Sequence, residues 1–251
     1  MTDDLLRIAA TLPAPFRLMI RESVGSTNDE LRLLAQAGGP DGLVLLALRQ
    51  TTGRGRRGTA WLCQPGESLA FSILVRPAEP KALWPRLALA AGLAVAEALE
   101  SCGVTVGVKW PNDVWIQQRK VAGILVEAAA DFAIVGIGIN VNTSTFPPEI
   151  ADIATSLRIA TGRDLPCAEV LDRIIRRFAS RRGQIGAEFE AVLGAVRRRC
   201  VLTGKHVSLT TGNASRQGLV EGIGPGGELW LRTSEGLESL LQADEIRILE
   251  P

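Results

Sequence analysis

Near residue 201 the chain changes rhythm. Before it, strand-length apolar runs are mixed with helical segments. Beyond it, short strands recur between glycine turns at residues 206–209, 217–222, 228–231, 239–241 and 245–249. Short, regularly spaced strands of this kind specify a small barrel, SH3-like in size. The earlier part mixes strands and helices without a strict βαβ alternation, which predicts an α+β unit. The expected organisation is α+β, with a larger mixed-sheet domain over residues 1–200 and a small SH3-like β-barrel over residues 201–251.

Within the larger part, residues 16–22 are expected as a strand. Ser26-Thr27-Asn28-Asp29-Glu30 then opens a helix, because Thr27 followed three residues later by Glu30 fits a capping box. Gly38-Gly39-Pro40 stops that helix. Continuous apolar runs at 43–48 and 69–75 have strand length, and a Gly/Arg loop over 50–58 lies between them. Residues 80–101 read as one long buried helix, with Pro85 tolerated near its start. A short β-branched stretch at 104–108 leads into the turn signal Pro111-Asn112-Asp113. Strands at 114–117 and 121–128 form a hairpin around the polar Gln118-Arg119-Lys120, and another strand covers 132–141. Val170, Leu171, Ile174, Ile175 and Phe178 mark one face of a helix, and a second helix spans 185–198.

Composition narrows the function classes. Hydrophobic residues are 46% and charged residues 22% of the 251, which is ordinary for a folded protein. The formal net charge of +1 gives no bulk attraction to nucleic acid or membrane. No basic start followed by an apolar run is visible at the N-terminus. The most apolar stretch, 87–96, is about half of the ~20 residues a membrane span needs. The four cysteines are scattered without a CxxC pair, as free thiols in a cytoplasmic setting would be. With a single histidine, His206, a His-based zinc site or a Ser-His-Asp triad is disfavoured, and no protein-held metal is expected.

The chemistry-bearing residues fall into separate segments. Gly53-Arg54-Gly55-Arg56-Arg57-Gly58 pairs glycines, which admit a ligand close to the backbone, with forked cationic donors for carboxylate or phosphate. By itself it is also a reasonable RNA-contacting or solvated basic loop. Lys109-Trp110-Pro111-Asn112-Asp113 and Lys120-Val121-Ala122-Gly123-Ile124-Leu125 put a lysine at a hairpin edge near a strand glycine. Taken alone these could be a surface lysine and a bulge. In Gly136-Ile137-Gly138-Ile139-Asn140-Val141-Asn142, glycines interrupt an apolar strand; GxGxxG is absent, so no dinucleotide fingerprint is present. Ser26-Thr27-Asn28 could be no more than a helix cap. The arginines from Arg173 to Arg182 and at Arg197-Arg198-Arg199 lie opposite apolar stripes and read as a solvated face.

Taken together and in this order, the segments resemble the biotin–protein ligases over about residues 20–142. The match is carried by Ser26-Thr27-Asn28, by Gln50 with the Gly53-to-Gly58 loop and Trp61, by Lys109 to Asp113, by Lys120 to Leu125 and by Gly138-Ile139-Asn140. The small C-terminal barrel is similar to that family's as well. The resemblance implies an ATP-dependent ligase that makes biotinyl-5′-AMP and delivers biotin to a carrier lysine of a biotin-dependent carboxylase. Its substrates would be biotin and ATP, with Mg²⁺ borne by the phosphates.

By position, the resemblance implies that Ser26, Thr27 and Gln50 hydrogen-bond the ureido ring, with Gly123 allowing close approach. Asn28, Gly53 and Gly55 belong to the same biotin-binding set. Arg54 and Arg56 would face the carboxylate and the phosphate, and Lys120 the activated carboxyl, so that Lys120 and Arg56 carry the catalysis. Asn112, Asn140 and Trp61 would bind the nucleotide together with Arg56 and Lys120. Trp110 and the flanking strands would give the ring apolar walls.

Two departures from the family pattern stand out. Thr59 occupies the position where a third basic residue often follows the arginine loop, and only about twenty residues precede the first strand. The latter leaves no room for a helix-turn-helix, so no DNA partner is expected, while a homodimer stays open. A lipoate–protein ligase, a non-catalytic biotin sensor and an RNA-binding protein are the rival readings. The polar set Ser26, Thr27 and Gln50 favours a ureido ring over lipoate.

Overall fold

The structure, a computed structural model, describes residues 2–55, 58, 61 and 63–249. The chain runs α1 (Thr2–Ala9), β1 (Arg17–Val24), α2 (Thr27–Gln36), β2 (Leu43–Gln50), β3 (Ser68–Val75), α3 (Arg86–Glu100), β4 (Gly107–Lys109), β5 (Asp113–Ile116), β6 (Arg119–Ala128), β7 (Ala133–Asn140), α4 (Leu157–Thr161), α5 (Cys167–Arg181) and α6 (Phe189–Arg199). Five further strands follow: β8 (His206–Thr211), β9 (Ala214–Ile223), β10 (Leu229–Thr233), β11 (Gly236–Leu240) and β12 (Glu245–Ile248). The expected α+β architecture is present, and the C-terminal strands form their own five-stranded antiparallel sheet in the order β11-β10-β9-β8-β12.

The first seven strands form one sheet in the order β1-β2-β3-β7-β6-β5-β4. Only β1 and β2 run parallel; the other pairs are antiparallel, so the sheet is mixed. Alternation along β2 shows how the sheet is clad. Val44 and Leu46 join the main core with α3 and α5, whereas Leu43 and Leu45 join a smaller cluster under Leu31 and Ala35 of α2. Side chains on a strand point alternately to opposite faces, so one run serves two cores. The α3 segment is apolar nearly all round, the signature of a helix buried on every side.

The C-terminal sheet is fastened to the larger unit at several points. Val201 N–H donates to the Val108 carbonyl at 3.1 Å, and the Trp110 indole Nε1 donates to the Gly227 carbonyl at 2.8 Å. Arg197 Nε donates to the Ile223 carbonyl at 2.8 Å. Gly227 has φ of 95°, and a Cβ there would meet Leu89 at 2.9 Å, so this turn needs glycine on both counts.

Several expectations are corrected. The N-terminal segment is a helix, α1, with Leu5 buried. The helix expected over 80–101 begins at Arg86, after a separate 3₁₀ turn over Lys81–Leu83. The hairpin turns at Gln117-Gln118, whose φ values are 48° and 62°, and Arg119 and Lys120 already belong to β6. The helix cap is Ser26 rather than Thr27, and its side chain makes no capping hydrogen bond. Trp110 is 2% exposed and lies in the core, so it does not wall a site.

The arginine cluster is a solvated face only in part: Arg176, Arg177 and Arg198 are exposed, whereas three others are drawn into ion pairs. Arg181 pairs with Glu97 at 2.6 Å, Arg182 with Asp41 at 2.7 Å and Arg199 with Glu100 at 2.7 Å. Each of these three arginine side chains is at most 24% exposed. They fasten α5, its C-terminal turn and α6 to the rest of the molecule. Residues three or four apart on a helix point the same way whether or not they face solvent, so helical periodicity does not reveal such distant partners.

Candidate active site

The face of the sheet opposite α3 loses its side chains where α2 ends its cover. On β7 that face carries Ile134, then Gly136 and Gly138. The registers place Ser72 of β3 beside Gly136, and Gly123 of β6 beside Gly138. Directly paired residues share a face, so Gly123, Gly136, Gly138 and Ser72 form a floor with little above the backbone. A Cβ at Gly136 would overlap the Asn28 amide, and one at Gly138 would overlap the Trp61 indole.

The N-terminus of α2 stands at one end of this floor. Ser26, Thr27 and Asn28 are buried. The Thr27 backbone N–H and its hydroxyl lie 2.8 and 3.0 Å from Gln50 Oε1. Ser72 Oγ lies 2.8 Å from Thr27 Oγ1 and 2.6 Å from Asn28 Oδ1, and Asn28 Nδ2 donates to Glu127 Oε2 at 2.6 Å. Thr27 thus has a role beyond helix initiation: it ties α2 to the ends of β2 and β3.

Trp61, which follows β2 in sequence, lies over the floor. Trp61 N–H donates to the Gly53 carbonyl at 2.9 Å, and the indole lies against Gly138 and Gly123. Its Nε1 is buried without a hydrogen-bond partner, an arrangement that normally costs about 1–3 kcal/mol. Arg54 makes a bidentate pair with Asp29 and approaches Glu127 at 3.5 Å. The hydrogen bond from Arg54 holds the Asp29 carboxyl below its ordinary range, and the same bond pushes the Arg54 guanidinium higher still. Arg54 is therefore matched by carboxylates of its own chain.

At the other end, the Lys120 ammonium pairs with Asp113 at 2.7 Å and lies 5.9 Å from the Trp61 ring centroid. Its backbone is clamped as well: Lys120 N–H donates to Ile153 at 2.8 Å, and its carbonyl accepts from Thr155 at 2.9 Å. Lys109 stacks over Trp115 at 4.4 Å, and burial pulls its ammonium below the usual lysine range.

The structure therefore gathers Ser26, Thr27, Asn28, Gln50, Gly53, Arg54, Trp61, Lys120 and Gly123 around one floor, with Gly55 continuing the loop. Arg56, together with Arg57 and Thr59, lies outside the described residues. Asn112 and Asn140 are turned to their own backbone: Asn112 Nδ2 donates to Ile124 at 2.7 Å and Asn140 Nδ2 to Thr155 at 3.0 Å. Sequence reasoning missed Asp29, Ser72 and Glu127. Ser72, a hydroxyl inside the apolar run Leu69 to Val75, was the available signal, because a buried polar group requires a partner.

The chain is similar to several known proteins. Residues 21–143 match the model of the biotin/lipoate A/B protein ligase family. The bifunctional ligase/repressor BirA of Bacillus spizizenii is 34% identical, over 90% of this chain and 73% of that one. The biotin--[acetyl-CoA-carboxylase] ligase of Paracoccus denitrificans is 32% identical, over 87% and 95% respectively. Among solved structures, biotin protein ligase from Aquifex aeolicus in complex with biotin and ATP superposes with a TM-score of 0.83 at 36% identity, covering 92% of this chain and 99% of that one. The chain belongs to the biotin/lipoate A/B protein ligase family. Each of these relatives is named for ligase activity, and the last two for biotin.

Proposed function

We propose that this protein joins biotin to ATP to form biotinyl-5′-AMP, and then transfers biotin to a lysine on the carrier domain of a biotin-dependent carboxylase. The observation that carries this reading is the bare glycine floor bounded by the Thr27–Gln50 polar end and by Lys120. A fused bicyclic ring can approach the backbone closely only where side chains are missing. The ring's ureido group needs polar partners at one end, and its carboxylate tail needs cations at the other. Lipoate has no ureido group and would leave the polar end unmatched. We assign the chemistry to residues 1–200 and treat residues 201–251 as a separate SH3-like domain.

In the first step the biotin carboxylate attacks the α-phosphorus of ATP and pyrophosphate leaves. Two unit charges ~4 Å apart at an effective dielectric near 20 repel by about 4 kcal/mol. Lys120, on exchanging its Asp113 partner for the ligand, offsets that repulsion where the carboxyl and phosphoryl oxygens meet, and Arg56 supplies the second cation. No general base is needed, because the carboxylate is already ionised at neutral pH. Arg54 acts as the loop's anchor to α2, given its pairing with Asp29. Mg²⁺ is treated as part of the substrate, carried in on the nucleotide's phosphates.

In the second step the carrier amine attacks the acyl carbon, a C–N bond forms, the C–O bond to AMP breaks and the amine's proton is lost. Water would destroy the same mixed anhydride, so cover by the Gly53–Trp61 loop protects it. Because the ring and the indole compete for the space above Gly138, biotin binding moves Trp61. Among the described residues no helix is long and apolar enough to cross a membrane. The test is ATP–pyrophosphate exchange with biotin, with lipoate and with neither. Exchange that depends on biotin alone is expected; exchange with lipoate alone would reassign the substrate, and none with either would remove the ligase reading.

A further inference from the structure

A hydrogen-bond chain crosses the floor from β6 to the end of β2, and its direction is set at one end. Glu127 Oε2 accepts from Asn28 Nδ2 at 2.6 Å, and Arg32 and Arg54 approach the same carboxylate at 3.1 and 3.5 Å. An ionised carboxylate has no proton to give. The Asn28 amide nitrogen therefore faces Glu127, and its oxygen faces Ser72. That oxygen too can only accept, so the single Ser72 proton is directed to it across 2.6 Å. Ser72 must then accept from Thr27, whose hydroxyl is 2.8 Å away. This draws the Thr27 proton away from Gln50 Oε1, which already receives the Thr27 backbone N–H at 2.8 Å.

We infer that Glu127 is a positioning residue for ligand specificity, fixing the donor and acceptor order of the pocket through Asn28, Ser72, Thr27 and Gln50. This rests on the biotin reading of the site. Gln50 is held with Oε1 toward α2 and Nε2 toward Gly53, and capacity remains on Oε1 for an N–H from a ligand. A ureido group offers N–H donors on either side of a carbonyl acceptor, so it is recognised by the order of its polar groups as much as by shape. Reversing the Asn28 amide would reverse each hydroxyl along the chain. Nothing else in the chain prevents that reversal, because amides and hydroxyls can each work in either sense. Glycine at 136 leaves room for the Asn28 amide, which a Cβ would displace.

The experiment measures kcat and KM for pyrophosphate exchange with biotin and with 2-iminobiotin, whose protonated cyclic guanidine presents an NH₂ donor where biotin has its ureido carbonyl oxygen. It compares wild type, Glu127→Gln and Ser72→Ala, each checked by thermal melting. Ser72→Ala, which removes no charge, separates hydrogen-bond order from the analogue's charge. A glutamine can present either end of its amide to Asn28, so the chain can run both ways. The expected result for Glu127→Gln is a biotin KM raised about 10-fold, with kcat at saturation within about twofold. The preference for biotin over the imino analogue is expected to fall about 10-fold. Ser72→Ala cuts the chain in the middle and is expected to lower the preference similarly; it decides the matter if Glu127→Gln does not fold. An unchanged preference in a folded variant, whatever happens to KM, would overturn the inference, since a merely structural role would weaken both ligands alike. Failure of the wild type to exchange with biotin would overturn the biotin reading itself.

Discussion

The strands β3, β6 and β7 carry two surfaces of opposite character on one backbone. On one face Phe71, Ile73, Ile124, Val135, Ile137 and Ile139 are buried in the core shared with α3 and α5. On the other, Ser72, Gly123, Gly136, Gly138 and Glu127 hold the floor and its polar chain. Neighbours in sequence such as Ile137 and Gly138 do opposite jobs. The apolar face fixes the strand register, since a slip of one residue would exchange the two sets. The bare face is thereby delivered in the correct place without contributing much to stability itself. Mutations should therefore separate cleanly: those on the bare face should change chemistry, and those on the apolar face should change folding.

The largest expected effect on the bare side is at Lys120. Lys120→Ala should lower the exchange rate at saturating substrates by roughly 10²–10³, comparable to loss of one oxyanion donor, with the melting temperature little changed. An unchanged rate would remove Lys120 from the chemistry. On the apolar side, Ile137→Ala should cost about 2–5 kcal/mol in denaturant unfolding, as buried aliphatic truncations do. Its kcat and KM below the melting range should stay close to wild type. Loss of activity in proportion to loss of stability would show that the two faces are not independent.

A smaller effect, away from both faces, is expected at Arg182. Its Nη2 donates to both Asp41 carboxylate oxygens at 2.7 Å, and its guanidinium stacks on Phe16 at 5.6 Å, which ties the end of α5 to the segment before β2. Arg182→Ala should destabilise by roughly 1–3 kcal/mol, between an exposed pair and a buried one. A loss below about 0.5 kcal/mol would restore the solvated-face reading. The smallest effect is at Asp29, whose carboxylate is 49% exposed. Asp29→Asn should change stability by less than about 1 kcal/mol while loosening the Arg54 latch, seen as faster proteolysis of the loop. Because the Asp29 pKa is lowered on folding, the latch's contribution is present above the ordinary aspartate value of ~3.9. It is lost only as pH falls through the lowered value, so proteolysis of the wild type should be flat above about pH 5.

The strands were legible because an apolar run of strand length is a local signal, and β1, β2, β3 and β7 lie close to the runs that marked them. The α1 helix escaped because its short run of eight residues buries little beyond Leu5. The site was legible as separate motifs, and their convergence was legible only through the family resemblance. Asn28 and Glu127 are 99 residues apart, and nothing local in either segment announces the partner. Asn112 and Asn140 show what a motif leaves out: each Nδ2 also donates to a backbone carbonyl, of Ile124 and of Thr155, a structural tie that the sequence does not announce.

The most direct test of the account is a calorimetric titration of biotin into the wild type and into Gly138→Ala under identical conditions. A single methyl group at Gly138 would project from the floor into the space that the Trp61 indole occupies and that the ring is proposed to take. The account predicts a loss of at least about 10-fold in biotin affinity, equivalent to about 1.4 kcal/mol, in a protein that melts near the wild-type temperature. Equal affinity in the two proteins would contradict it, because the ring could not then be lying on this face of the sheet.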